Sequence, residues 1–204
     1  WISIKIFINE EKKFIDKTKD YGLDKSNGLW NDLEIVDLDQ DGDLDFVAAN
    51  YGSNNFFKPN MKMYVNDFDS NGFEEQIICY EIDGEYYPIL DKDELIAQLP
   101  SIKKKIIYYS DYSNLSINKL FDKKILQSSK VLDINVLETS LFLNINGNFQ
   151  RFSLPPEINY SSMYDIELLS KKGNFSRFLI GGNQYNIKPQ FGRQDASKGY
   201  LLDI

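Results

Sequence analysis

The chain has 204 residues, 14% of them aromatic, with a formal charge of −8, no histidine and a single cysteine. That length suits one substantial domain or two small ones, and an acidic balance with no basic stripe to neutralise phosphates argues against nucleic acid as a partner. Without histidine the chain holds no Ser-His-Asp triad, no Cys-His nucleophile and no zinc hydrolase site, and the lone Cys79 excludes an intrachain disulfide and a thiolate metal site. No stretch approaches the ~20 apolar residues of a membrane-spanning helix.

In chain order, Trp1-Ile2-Ser3-Ile4-Lys5-Ile6-Phe7 is a strand-like run with no signal sequence, which reads as part of something longer or as a mature portion. Ile6-Phe7-Ile8-Asn9, followed by Phe14, predicts a hairpin. Two short, β-rich apolar runs come next, Leu33-Glu34-Ile35-Val36 and Phe46-Val47-Ala48-Ala49. Between them lies Asp37-Leu38-Asp39-Gln40-Asp41-Gly42-Asp43-Leu44-Asp45. Five like charges within nine residues repel one another, and a cation among them is the simplest way for a fold to keep them together. The alternation offers side-chain oxygens from Asp37, Asp39, Asp41 and Asp45, with the backbone carbonyl of Asp43 between the last two. An all-oxygen set of this kind suits Ca²⁺, which accepts six to eight oxygens in flexible geometry.

Thirty residues on, Asp67-Phe68-Asp69-Ser70-Asn71-Gly72-Phe73-Glu74-Glu75 repeats the pattern. Asp67, Asp69, Asn71 and Glu75 take the side-chain positions, and Phe73 offers only its carbonyl, so its side chain is free to vary. Two Ca²⁺ sites are therefore expected. The EF-hand opens in the same way, but it needs a bidentate Glu at loop position 12 and flanking helices. Those positions hold Ala48 and Ile78, and the flanks, including Met63-Tyr64-Val65 and Gln76-Ile77-Ile78-Cys79-Tyr80, are strands. Each acidic loop is thus the turn of a β-hairpin. Cys79, inside one of these strands, is a core residue.

Residues 91–125 change character. Asp91 caps a helical run that Pro100 stops, and a second amphipathic stretch from Ser101 to Tyr109 sets Ile102, Ile106 and Tyr109 on one face. A third short helix is predicted over Ser116 to Phe121, and Lys103-Lys104-Lys105 reads as a solvated face. Beyond this insert the opening pattern returns. Leu141-Phe142-Leu143-Asn144 with Phe149 echoes the first hairpin. At an offset of 133, Asp165-Ile166-Glu167-Leu168-Leu169 and Leu179-Ile180-Gly181-Gly182-Asn183 echo the strands around the first acidic loop. The ligand positions themselves become Ser170, Lys172, Asn174, Ser176 and Phe178, so this third copy is expected to be metal-free, with Lys172 facing solvent. Repeats of about 50 residues with several short strands point to propeller blades.

Together with Gly28-Leu29-Trp30-Asn31-Asp32, Asn50-Tyr51-Gly52-Ser53-Asn54-Asn55 and Gly192-Arg193-Gln194-Asp195-Ala196, these motifs resemble the FG-GAP/VCBS-type repeats of integrin α-subunits and large bacterial surface proteins. The resemblance implies a mainly β fold of propeller blades, incomplete in this chain, with blades over 1–90, a helical insert over 91–125 and a further, degenerate blade over 126–204. It implies calcium in the loop between the first two strands of a blade, and an extracellular or cell-surface setting, associated with the outer membrane in a Gram-negative bacterium. The expected function is non-catalytic binding or scaffolding, with other segments of the same propeller, or other subunits of a surface nutrient-uptake complex, as partners. The alternative is a glycan-binding or glycan-degrading surface protein. Degradation would draw on Asp83, Glu85, Asp91 and Glu94, and binding on Trp30, Tyr51 or the Tyr86-Tyr87 pair as stacking platforms.

Overall fold

The computed structural model describes residues 1–173 and 175–204; Asn174, one position of the erased third loop, lies outside the described residues. The elements in chain order are β1 (Phe7–Glu10), β2 (Lys13–Asp16), β3 (Asp32–Val36), β4 (Asp45–Ala49), β5 (Lys62–Asn66), β6 (Glu75–Ile82) and β7 (Glu85–Pro88). Four short helices follow, α1 (Lys92–Gln98), α2 (Tyr109–Tyr112), α3 (Ile117–Leu120) and α4 (Lys123–Ser128). Then come β8 (Lys130–Asp133), β9 (Ser140–Ile145), β10 (Asn148–Ser153), β11 (Asp165–Lys172), β12 (Phe175–Gly181) and β13 (Tyr200–Asp203). The strands form four small antiparallel sheets, ordered β1-β2, β10-β9-β4-β3, β11-β12-β13 and β7-β6-β5-β8, and among the described residues none closes into a barrel or a propeller. No helix among them is long and apolar enough to cross a membrane.

The chain divides into two compact units, Trp1–Pro59 with Asn135–Ile204, and Asn60–Ile134. This division differs from boundaries at 90 and 125. The second acidic loop shares a unit with the helices, because β5 pairs with β8 at the far end of the helical stretch, Lys62 opposite Asp133 and Val65 opposite Lys130.

In the first unit, β4 is buried along its whole length. Its alternation sends Phe46 and Ala48 to one face and Val47 and Ala49 to the other. The Phe46 face stacks on Phe142 (ring centroids 4.7 Å apart) and packs with Leu23 and Phe149, while the Val47 face packs with Met163, Ile166, Phe178 and Ile180. Both faces being covered explains why 46–49 is a continuous apolar run. Asn50, which follows β4, is fully buried and ties three segments together: its Oδ1 accepts from Leu29 N–H (3.1 Å) and Tyr51 N–H (2.8 Å), and its Nδ2 donates to Val136 O (3.0 Å).

The repeats seen in the sequence recur in the sheets, but the second strand is displaced by one residue from the offset of 133: Asp32 faces Ala49 and Asp165 faces Gly181, so Phe46 corresponds to Phe178 and not to Leu179. Phe46, Val47 and Ala48 of β4 face Phe142, Leu141 and Ser140 of β9, and Phe178, Leu179 and Ile180 of β12 face Leu202, Leu201 and Tyr200 of β13. The β1-β2 and β9-β10 hairpins each turn on two left-handed residues, Glu11-Lys12 and Asn146-Gly147, as a two-residue loop requires. One expectation is corrected. Most of residues 1–6 is not strand, since β1 begins at Phe7 and Ile2 makes only an isolated bridge to Gly28. In the third copy β11 and β12 pair through Ser170, Lys172 and Ser176, with a bulge between Leu168 and Ser170.

In the second unit, Ile77 and Cys79 of β6 pack with Leu95, Leu99, Ile102, Ile106, Ile117 and Leu120 from the helical stretch, which covers this face of the sheet. Burial pushes the Cys79 thiol up to about 12, as befits an inert core residue. Asp91 caps α1 by accepting from Glu94 N–H (2.8 Å), as its position before the apolar run predicts. The 101–109 stretch is not one helix. A 3₁₀ turn over Pro100–Lys104 buries Ile102, α2 then starts at Tyr109, and Tyr109 points outward with its hydroxyl on Asp93.

Replacing Asn50 by Leu leaves two backbone N–H groups and a carbonyl without their partner, at a cost of about 2–4 kcal/mol. Thermal unfolding followed by circular dichroism is expected to show a fall of roughly 5–12 °C for a chain of this size. An unchanged midpoint would remove Asn50 from its structural role.

Candidate metal centres

Each acidic loop grows out of a hairpin whose strands are in register up to its mouth, Val36 opposite Asp45 in the first and Asn66 opposite Glu75 in the second. The chain must turn back within the intervening residues, and both loops do so with the same backbone signature. Gln40 and Gly42 have φ of 62° and 95°, and Ser70 and Gly72 have 61° and 90°. The glycine position in each loop lies far into the left-handed region, where a side chain would be strained.

Both loops are pinned at the same place. The last carboxylate, Asp45 or Glu75, accepts the N–H of the second loop residue, Leu38 (2.7 Å) or Phe68 (2.9 Å). Those second residues are apolar and buried, Leu38 in the core of the first unit and Phe68 against Phe121 in the second (ring centroids 4.5 Å apart). Asp41 Oδ1 accepts from Asp43 N–H, and Asn71 Oδ1 from Phe73 N–H, each at 2.8 Å. The second loop is tightened further by Asp67, which takes the N–H groups of Asn71 (3.0 Å) and Gly72 (2.8 Å).

In each loop three acids converge. Asp37, Asp39 and Asp45 bring carboxylate oxygens within 4.8 Å of one another, and so do Asp67, Asp69 and Glu75; each trio can hold a metal ion. Asp41 and Asp43 stand outside the first trio and are exposed, and the Phe73 side chain is turned to solvent. One carboxylate oxygen in each loop, Asp37 Oδ1 and Asp69 Oδ1, is buried without a hydrogen-bond partner. A buried, ionised oxygen with no donor costs free energy until a cation or proton meets it, so an orphaned oxygen beside two further carboxylates fits a hard cation.

The electrostatics agree. Loss of hydration raises the Asp39 carboxyl above its usual range, and the neighbouring charges of Asp41, Asp45 and Asp37 add to that, opposed only in part by the Asp41 N–H.

Four contacts around the loops carry no sequence signal. Asp45 also accepts Asn144 N–H from β9 (2.8 Å), which ties the first loop to a strand beyond the insert. Lys171 of β11 donates its ammonium to the Asp37 carbonyl, whereas Lys172 is exposed as expected. Asn66 accepts Asp67 N–H (3.0 Å) and donates to Ile125 O of α4 (2.8 Å), so it links the second loop to a helix. These partners lie 59 to 134 residues away in sequence, except Asn66's own neighbour.

The other sequence candidates lie apart from the loops. Asp83 sits exposed in the β6-β7 turn, Glu85 accepts from Asn118 (3.3 Å), and Asp91 is occupied as a helix cap. Tyr86 lies under Lys62 and against Tyr64, and Tyr87 against Tyr80. Trp30 and Tyr51 line one common cavity in the first unit.

No family model, curated protein or solved structure matches the chain.

Two predictions separate the pin from the ligands. Asp45→Ala removes the acceptor of two backbone N–H groups and is expected to cost about 2–4 kcal/mol even in chelator, whereas Asp39→Ala should lower the melting temperature only when metal is present. Equal losses for both in EDTA would contradict this division. For pH, the raised value at Asp39 means that, without metal, its contribution to stability is present below the ordinary carboxylate range and lost as pH rises through the raised value. A bound cation inverts that sign. Melting curves of the wild type against Asp39→Asn between about pH 4 and pH 7, in EDTA and in metal, should therefore diverge in opposite directions.

Proposed function

We propose that the chain is a non-catalytic segment of a β-propeller, its hairpins clipped by two calcium ions, within a larger extracellular or outer-membrane surface protein of the FG-GAP/VCBS type. The observation that carries this reading is the pair of acidic trios, each holding a buried oxygen with no donor, at the same place in two hairpins of the same backbone shape. Calcium is favoured over smaller or softer ions because the donors are all oxygen and come from a loop that can add backbone carbonyls to its carboxylates.

The blade reading rests on the sheets. The order β3-β4-β9-β10 is what a four-stranded blade with an insertion after its second strand would have, and β11-β12-β13 repeats its first three strands with the same pairing of Phe46, Val47 and Ala48 at Phe178, Leu179 and Ile180. The β1-β2 hairpin resembles β9-β10 and stands without the inner strands that β3 and β4 supply there. Binding or scaffolding, with other propeller segments or surface-complex subunits as partners, follows as the role of such a segment. The ions serve the fold in this account. The acids of both trios are also groups that hold the hairpin turns, and the third pair of strands stays paired up to Lys172 and Phe175 with none of these acids at its ligand positions.

Calcium at a hundred times its dissociation constant would stabilise a site by about 2.7 kcal/mol. Differential scanning fluorimetry with millimolar calcium and then excess EDTA is expected to show a drop of several degrees. Terbium luminescence should titrate to two ions in the wild type and one in Asp69→Ala. The absence of any EDTA-dependent shift would sink the calcium assignment.

A further inference from the structure

The first unit carries a cleft of about 620 Å³, within the range of small-molecule sites. Its walls are aromatic, with Trp1, Trp30, Tyr51 and Phe57 contributing rings. These rings are held in place before any ligand arrives. Trp30 donates its indole N–H to Ser26 O (2.8 Å) and lies so close over Gly28 that a methyl group there would meet its ring at 2.8 Å. Phe57 takes Trp1 and Tyr51 edge-on, at 5.9 and 5.7 Å between centroids, and its own N–H is fixed by Asn55 (2.6 Å). The Tyr51 backbone is held through Asn50 and through Ser162, which donates to its carbonyl (3.0 Å).

The polar groups on the wall are few and uncharged in effect. Lys5 is paired with Asp16 (3.4 Å), and the exposed Asn31 donates from its amide nitrogen to Met163 O (2.7 Å), so its side-chain carbonyl is the group it has to offer a ligand. The two charges on the wall are already engaged, the Trp1 ammonium by Gly28 O (2.6 Å) and Lys5 by Asp16, which disfavours an ionic ligand. A purely apolar one would leave Asn31 and Ser3 unmatched. A ligand with one C–H face and a rim of hydroxyls matches both, because the face stacks on rigid rings and the hydroxyls bond the amide oxygen and hydroxyl groups.

We infer that this cleft binds a neutral saccharide, stacked on the aromatic wall formed by Trp30, Tyr51 and Phe57 and hydrogen-bonded at its rim by Asn31. The inference does not depend on the calcium sites, none of whose ligands lines the cleft. Rigid rings reduce the ordering cost of binding, which is the main obstacle for flexible sugars.

The sequence contains two tryptophans, and both line the cleft, so intrinsic fluorescence reports on it directly. The whole chain in calcium buffer is titrated with cellohexaose, xylohexaose, mannohexaose and maltohexaose. The expected result is a saturable change in tryptophan emission with at least one of them, weakened tenfold or more by Tyr51→Leu and by Phe57→Leu and unaffected by Tyr86→Leu in the other unit. The wild-type titration stands by itself should a variant fail to fold. No saturable response to any of the four sugars overturns the inference, as does a response indifferent to both cleft substitutions. A tighter response to an aromatic-rich peptide than to any sugar overturns it in favour of a protein ligand. Repeating the titration in EDTA separates this result from failure of the calcium reading, which would show only as the missing thermal shift.

Discussion

The hydrogen bond from the second residue of each acidic loop to the carboxylate that closes it is the contact on which both hairpins depend. In the first unit, Leu38 N–H reaches Asp45; in the second, Phe68 N–H reaches Glu75. The bond does two things at once. It draws the apolar residue at loop position two inward, where Leu38 and Phe68 join their cores, and it holds the last acid facing the first and third. A charged acceptor makes this bond stronger than an ordinary backbone pair. The same carboxylate is buried, so the charge must be met by something positive or by donors. In the first loop two N–H groups meet part of it, one from Leu38 and one from Asn144 of β9.

This arrangement gives acidic residues two separate duties. Asp45 and Glu75 hold the backbone and are also offered to a cation, while Asp67 takes two N–H groups of its own loop and Asp37, Asp39 and Asp69 complete the trios that can hold a metal ion. Loss of hydration, with the like charges of Asp41, Asp45 and Asp37 added to it, raises Asp39 above the usual carboxylate range. The third hairpin illustrates the alternative. With Ser170, Lys172 and Ser176 at the corresponding places, its strands stay paired up to Lys172 and Phe175, and these residues form no like-charge cluster for an ion to relieve. A hairpin of this kind can therefore be built either around a cation or without one, and the choice is made by the residues between the strands.

Much of the candidate metal site was legible because its signals are local. Alternating Asp at positions one, three and five, with a glycine at the bend, constrains the chain within nine residues, and the second copy repeats it with Asn71 at position five. The strands were legible for the same reason, and Asp91 before an apolar run announced α1. Reading failed where the outcome depended on distant partners. Ile102, Ile106 and Tyr109 have helical spacing, yet the stretch breaks into a 3₁₀ turn and a separate helix, since Ile102 and Ile106 are fully used by the core and Tyr109 finds Asp93 outside it. The run 1–6 has strand-like residues but no neighbouring strand along most of its length.

The sequence by itself determined the hairpins, the carboxylates offered to a cation and the absence of histidine or thiolate chemistry, because each of these follows from residues close together in the chain or from composition. Tertiary structure alone decided which segments share a unit, since β4 meets β9 across the whole insert and β5 meets β8 around the helices. It also decided that Trp1, Trp30, Tyr51 and Phe57 enclose one cleft, and that Asn144 and Lys171 reach the first loop. The physical reason is that antiparallel pairing joins strands over any loop length at a cost that grows only slowly with that length, so the pairing of remote segments leaves no periodic trace in the residues between them.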